Sequence, residues 1–239
     1  MFDEKYQILR ADTEEAQRLH YRLRCEIYCV DRSFESSNNF PTGEEVDEAD
    51  ERALHFIIIE KASQEWIGVF RVVLPDHEKL PIEQYCVMDS KLIKSLPRDK
   101  TAEISRLGIA RRFTQRTPEH ENESELAQTK YVIKNLKEVT LGIWRALVQL
   151  SEERGIEDYL FFITPALARV LLGLHAPLLR AGLPCEHRGT RHPYLLNLEK
   201  DAERIKHLPR KEMEFIRSRP GYFLYSENAE LYTTTLDYT

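Results

Sequence analysis

Residues 55–75 read His55-Phe-Ile-Ile-Ile-Glu60, then Lys61-Ala-Ser-Gln-Glu65, then Trp66-Ile-Gly-Val-Phe-Arg71-Val-Val-Leu-Pro75. β-Branched and aromatic residues fill both ends, and the polar Ala62–Glu65 lies between them. This predicts a strand over His55–Glu60, a hairpin turn, and a second strand over Trp66–Leu74 that Pro75 ends. Downstream, Pro75–Leu96 is mixed, with one short helix expected, and Thr101–Ala110 reads as a third strand. Upstream, the first organised segment is a helix over about Thr13–Val30. Asp12 or Thr13 caps it, and Ala16, Leu19, Leu23, Ile27 and Val30 recur at helical spacing toward the core. The polar stretch Asp31–Arg52 is a loop.

The second half alternates. A long helix is predicted over about Glu125–Glu153, its stripe made by Val132, Leu136, Val139, Ile143, Leu147 and Leu150, with Gly155 as its stop. A strand follows at Ile156–Ile163. Thr164-Pro165 then opens a helix to about Leu174 as N-cap and first helical residue. Cys185–Arg188 and Tyr194–Leu198 are further strand candidates. Thr114–Ser124 is expected to be a mobile loop, and the tail Asp201–Thr239 is weakly patterned. Early hairpins followed by strand–helix alternation give an α/β (α+β) fold with a mixed sheet. The division expected is one domain over 1–198, with 199–239 as a helical or irregular extension packed on it.

The 239 residues carry a net charge of -6, which excludes nucleic-acid binding by bulk electrostatics. No apolar run is long enough to span a membrane, and Met1–Arg10 is no secretory signal. Cys25, Cys29, Cys86 and Cys185 lack CxxC pairing and read as reduced thiols of a cytoplasmic protein, with Cys25 and Cys29 packed on one helix face.

Arg71 sits inside an apolar strand, where an unpaired charge is costly. Arg71 and Arg106 therefore need solvent or carboxylates. Six of the eight residues from Glu44 to Glu51 are acidic and can supply them. The full constellation runs Arg24-x3-Tyr28, Phe34, Glu45-x-Asp47-x2-Asp50, Arg71, and Glu103-Ile104-Ser105-Arg106.

In that order and spacing the set resembles the acyl-homoserine-lactone synthases. Over the full length the chain resembles the PEP-CTERM/exosortase-associated acyltransferases, a related group similar also to N-acyl amino acid synthases. Cys185–Tyr194 and Phe162-Ile-Thr-Pro165 belong to that second likeness. The resemblance implies a GNAT-like fold, a central mixed twisted sheet flanked by helices. It also implies acyl transfer from acyl carrier protein or coenzyme A. The synthases usually carry tryptophan where this chain has Phe34.

Aminolysis of a thioester needs a base for the amine and polarisation of the carbonyl, but no covalent nucleophile and no permanently bound cofactor. Glu103 is the candidate base, with Ser105, Arg106 and Arg71 beside it. Arg24, Tyr28, Phe34, Glu45, Asp47 and Asp50 shape the acceptor pocket. In a regular strand Glu103 and Arg106 face opposite ways, so joint service requires a β-bulge. The resembled fold has one in this strand, and amides near Leu107–Ile109 are then expected at the thioester. The bland alternative for Glu103 is a strand carboxylate paired with Arg71 or Arg106.

Arg111, Arg112 and Arg116 stand where many GNAT enzymes place a glycine-rich pyrophosphate turn. From Ser105 to Arg116 there are four arginines and no acid, a patch suited to acyl carrier protein, itself acidic and bearing phosphopantetheine. A solvated basic loop is the other reading. Ile143, Trp144, Leu147, Leu160, Phe161, Phe162, Leu171 and Leu172 line an acyl tunnel or are plain core. His187, Arg188, Arg191, His192 and Tyr194 close the acceptor side or form a loop between strands. His187 and His192 have no further ligands nearby, so no metal site is expected. A coenzyme A-dependent acetyltransferase and a non-catalytic acyl-ligand or carrier-protein binding module remain the competing functions.

Overall fold

The computed structural model describes residues 2–76, 78–114, 125–173, 176, 178–197 and 209–231. It begins with a short helix α1 (Phe2–Lys5) and a strand β1 (Tyr6–Arg10), then α2 (Glu14–Cys25). The hairpin is β2 (Ala53–Glu60) and β3 (Glu65–Val73). Two short helices, α3 (Pro81–Tyr85) and α4 (Ser90–Ser95), lead to β4 (Thr101–Ile109) and α5 (Arg111–Thr114). After α6 (Glu125–Arg154) come β5 (Asp158–Ile163), α7 (Pro165–Gly173), β6 (Leu179–Arg180), β7 (Cys185–Glu186) and β8 (Thr190–Asn197). The described chain ends with α8 (Arg210–Ile216) and β9 (Phe223–Leu224).

The strands form one mixed sheet in the order β6-β8-β5-β4-β3-β2-β1-β9, with β7 paired to β8. Pairing is antiparallel from β1 to β4, whereas β4–β5 and β1–β9 are parallel. Alternate residues of the hairpin feed opposite layers. Phe56, Ile58, Phe70 and Val72 meet α6 through Val139, Ile143 and Leu147. Ile57, Ile59 and Val69 meet Ala16 and Leu23 of α2 and Ile27 just beyond it. Both faces are covered, which is why this hairpin reads as continuous apolar runs rather than a clean alternation.

Thr13 is the cap of α2, its hydroxyl accepting from the Ala16 amide at 3.2 Å. After Cys25 the helix widens into a π-helical segment, Glu26–Asp31, closed by Arg32 N donating to Ile27 O. A wider turn breaks the 3.6-residue phase. Val30, expected in the core, is accordingly 68% exposed.

The Pro75–Leu96 stretch holds two short helices rather than one. β1 was not expected at all. The long helix and its stop behave as expected, Gly155 taking φ +66°. Thr164 caps α7 by accepting from the Leu167 amide. Cys86 and Cys185 form a disulfide, which corrects the reading of four reduced thiols. They are 99 positions apart, but the bridge between Met88 and Gly182 lays their two loops side by side. Cys25 and Cys29 are the free, buried pair. Among the described residues no helix is long and apolar enough to cross a membrane. Arg116, most of the expected loop, and the tail at 199–208 and 232–239 fall outside the described residues.

Candidate active site

β4 carries a bulge. Arg71 faces Ser105 and Val69 faces Gly108, so Phe70 opposes both Arg106 and Leu107. Arg106 takes a left-handed φ of +51°, a conformation that costs a non-glycine residue of order 1 kcal/mol. The extra residue turns Arg106 to the same side as Glu103 and Ser105. All three line one cavity, as the sequence requires if both charged groups serve one site.

The acidic loop folds inward to meet them. Asp47 caps a short 3-10 helix over Glu48–Arg52 and Asp50 bonds back to the Asp47 amide, a reciprocal capping box. This places three carboxylates against three arginines. Arg24 donates to Glu45 at 2.5 Å and Asp50 at 2.6 Å. Arg71 donates to Asp47 at 2.5 Å, Asp50 at 2.7 Å and Ser105 Oγ at 3.1 Å. Arg106 donates to Glu45 at 2.9 Å and Asp47 at 2.5 Å. Arg24, Arg71, Glu45 and Asp50 are buried. Burial alone pushes Asp47 and Asp50 up, but the arginines outweigh it and hold both carboxyls below the ordinary range. Arg71 rises in turn, because Asp47 and Asp50 more than offset its own burial.

Glu103 behaves in the opposite way. It is fully buried, and burial raises its carboxyl to about 8 against the weaker pull of the Ile82 amide, Arg71 and Arg106. Oε2 accepts from Ile82 N at 2.7 Å, while Oε1 has no partner among the described residues. Among the described residues neither arginine pairs with it, so the plain ion-pair alternative does not hold. Its cavity, about 370 Å³, is lined by Asp47, Arg71, Tyr85, Glu103, Ser105 and Arg106.

A second, smaller cavity of about 70 Å³ adjoins it through Ser105, Arg106 and Phe162. It lies where the sheet opens. β5 pairs with β4 only from Thr101 to Glu103, and beyond that point the two strands have no paired residues. Leu107, Phe161 and Ile163 line it on the strand side, and Tyr28, His187 and Arg191 on the other. Tyr28 donates to Leu107 O at 3.3 Å and packs on Phe34. Burial, followed by Arg188, lowers His187 to about 4, so it is neutral at pH 7.

Not every expected residue gathers here. Ile109 pairs with Gly68 and lines neither cavity. Arg111 and Arg112 lie apart. Asp31 accepts from the Arg111 amide at 2.6 Å, and the Arg112 side chain pairs with Glu26 and the Trp66 carbonyl. The acid-free run in sequence is therefore met by acids from the π-helical segment. Ile143, Trp144, Leu147 and Leu171 are core, Leu172 is exposed, and of the expected tunnel Phe161 and Phe162 line these two cavities while the others do not. Of the late polar cluster, His187, Arg188 and Arg191 reach the cleft, while Tyr194 is core. Sequence reasoning missed Tyr85, which packs on His187 with ring centroids 4.0 Å apart, and Glu35, which takes Arg188 at 2.5 Å. Both join residues far apart in sequence, and neither lies in a periodic pattern.

Residues 23–120, which hold most of this constellation, match the family model described as an acetyltransferase (GNAT) domain. No curated protein matches the chain. Among solved structures it is similar to BjaI, a CoA-dependent acyl-homoserine lactone synthase solved with SAM and isopentyl-CoA, at 14% identity and a TM-score of 0.60 over 92% of each chain. It is similar to the AHL synthase LasI at 15% identity and TM-score 0.54, over 85% of this chain and 95% of that one. FeeM, an N-acyl amino acid synthase from uncultured soil microbes, matches at 11% identity and TM-score 0.50, over 81% and 91%. At such identities the likeness is one of fold: residues 23–120 match the acetyltransferase (GNAT) model, and the described chain has the mixed-sheet, GNAT-like fold seen in these synthases.

Proposed function

We propose that this chain is an N-acyltransferase that moves a fatty acyl group from a phosphopantetheine thioester to the amine of a small, amino-acid-like acceptor, by direct base-assisted aminolysis. One observation carries the reading: a buried carboxylate, Glu103, with one unpartnered oxygen at the floor of a cavity and a pKa of about 8. A base poised near the working pH is what deprotonating an ammonium requires. Arg24, Arg71, Arg106, Glu45, Asp47 and Asp50 fix the cavity wall, with Ser105 bonded to Arg71. Tyr28 and Phe34 flank the acceptor, and the opened edge of β4 at Leu107 is the place proposed for the thioester.

Acyl carrier protein is the donor this reading favours over coenzyme A. Asp31 occupies the first amide of α5, where a pyrophosphate cradle would need a free one. Arg111, Arg112 and Arg116 are the residues assigned to the carrier. The PEP-CTERM/exosortase association rests on the Cys185–Tyr194 and Phe162–Pro165 stretches. The reaction is placed in the cytoplasm, where such thioesters are made.

The test is thiol release from acyl carrier protein and coenzyme A thioesters of several chain lengths, with a pool of amines. Release from carrier thioesters supports the proposal. Release from acetyl-coenzyme A alone supports a conventional acetyltransferase. Binding without turnover, unchanged by Glu103→Gln, identifies a non-catalytic module.

A further inference from the structure

The charges around the cleft close on one another. Arg24, Arg71, Arg106 and Arg188 meet Glu35, Glu45, Asp47 and Asp50, four guanidiniums against four carboxylates. Glu103, raised by burial, adds little negative charge at neutral pH.

Arg191 stands outside this balance. Among the described residues no carboxylate forms an ion pair with it. Its Nε donates to His187 O at 3.2 Å and its Nη2 to Arg188 O at 2.9 Å. Its guanidinium lies over the Phe34 ring, 5.2 Å from the centroid. These contacts fix its position but leave its charge unanswered. It lines the smaller cavity with Tyr28, Arg106 and His187. Burial lowers its pKa, an effect that the nearby carboxylates reverse for Arg71 and Arg106. A pre-oriented, partly dehydrated guanidinium facing a cavity is a receptor for a planar anion, which it can hold through two parallel hydrogen bonds.

We infer that Arg191 is a specificity-determining residue that receives the anionic group of a substrate, and that this group is the acceptor's carboxylate. The acceptor is then a free amino acid rather than a simple amine, a conclusion that rests on the acyl-transfer reading above. The smaller cavity, about 70 Å³, has room for a carboxylate and its neighbouring carbon. It adjoins the Glu103 cavity through Ser105, Arg106 and Phe162, so one small molecule spans both. The phosphate of the donor's pantetheine arm is the other source of an anion, and the experiment separates the two.

Steady-state constants are measured for wild type, Arg191→Gln and Arg191→Lys. The acceptors are the most active common L-amino acid and its amide, and the donor thioester is varied separately. The expected result is a rise of about tenfold or more in KM for the free acid with Arg191→Gln. The amide is used equally by both enzymes, donor KM is unchanged, and Arg191→Lys recovers part of the loss. Equal losses on acid and amide overturn the inference, as does an effect confined to donor KM. Should wild type acylate no amine, the proposed function fails, and binding decides the inference alone. Thermal shifts are then read with common L-amino acids and their amides. Shifts by the acids that Arg191→Gln abolishes uphold it, and no discrimination between acid and amide overturns it.

Discussion

The two arginines nearest Glu103 do little to ionise it because both are already committed to Asp47, Asp50 and Glu45. Desolvation therefore wins, and the carboxyl moves from 4.5 to about 8. Between those values the folded chain keeps a proton that the unfolded chain has released. Stability accordingly falls as pH rises through the window, by at most roughly 1.4 kcal/mol per pH unit. Glu103→Gln removes that penalty. It is expected to melt above wild type at pH 8 and beyond while losing roughly 10²- to 10⁴-fold in turnover. Wild-type turnover should climb with pH through about 8. Thermal melts and a pH–rate profile check both, and a flat profile would remove Glu103 from the role of base. Asp47 and Asp50 give the opposite sign, since their lowered pKa values stabilise above 3.8 and that stability is lost as pH falls below it. Arg71 is 1% exposed, and Arg71→Ala leaves buried Asp50 to Arg24 and half-buried Asp47 to Arg106, each with one guanidinium fewer. A loss of about 3–5 kcal/mol in denaturant unfolding is expected.

At the scale of elements, the bulge in β4 decides the site's geometry. Gly68 lies on β3 across from Ile109, two residues beyond the bulge. A Cβ there would sit 2.8 Å from the Gly108 carbonyl oxygen and 2.6 Å from Ile109 Cδ1. A backbone carbonyl cannot swing aside as a side chain can, so Gly68→Ala must part β3 from β4. It should cost about 1–3 kcal/mol in urea unfolding and reduce turnover with it. Local pattern announced much of this region. The hairpin and the long helix follow from periodicity, and the bulge follows from strand alternation once the resemblance sets both Glu103 and Arg106 in one site. Val30 was misplaced because a π-turn leaves no mark on apolar spacing. β1 escaped because five residues, Tyr6–Arg10, draw their stability from β2 rather than from their own pattern. Glu35 with Arg188, and Cys86 with Cys185, are products of topology, which no local spacing encodes.

For the whole molecule, the ends of the described chain close the fold. β9 adds a strand beside β1, and Tyr222 and Tyr225 are buried. α8 packs on α6, where the Arg145 guanidinium lies over Phe215 and Phe2 and pairs with Asp3. A chain ended at residue 208 uncovers these groups. It should lose cooperative unfolding by circular dichroism and bind a hydrophobic dye, as an integral rather than an appended segment would.

The parallel seam between β4 and β5 is only three residue pairs long, Thr101–Glu103 against Asp158–Leu160. On the far side of that seam lie β5 to β8 with α7, a leaf joined to β4 by this short spine and to the rest by the core it shares with α6. The Cys86–Cys185 bond is a clasp binding the loop after α3 to that leaf, on the side where Glu103 takes the Ile82 amide. Opening the clasp removes one tie on the leaf, so under the proposed acyl transfer the space for the acyl group is expected to widen. Faster amide exchange along β5 after treatment with a dithiol would register that freedom, and a wider range of accepted acyl lengths would be its chemical counterpart.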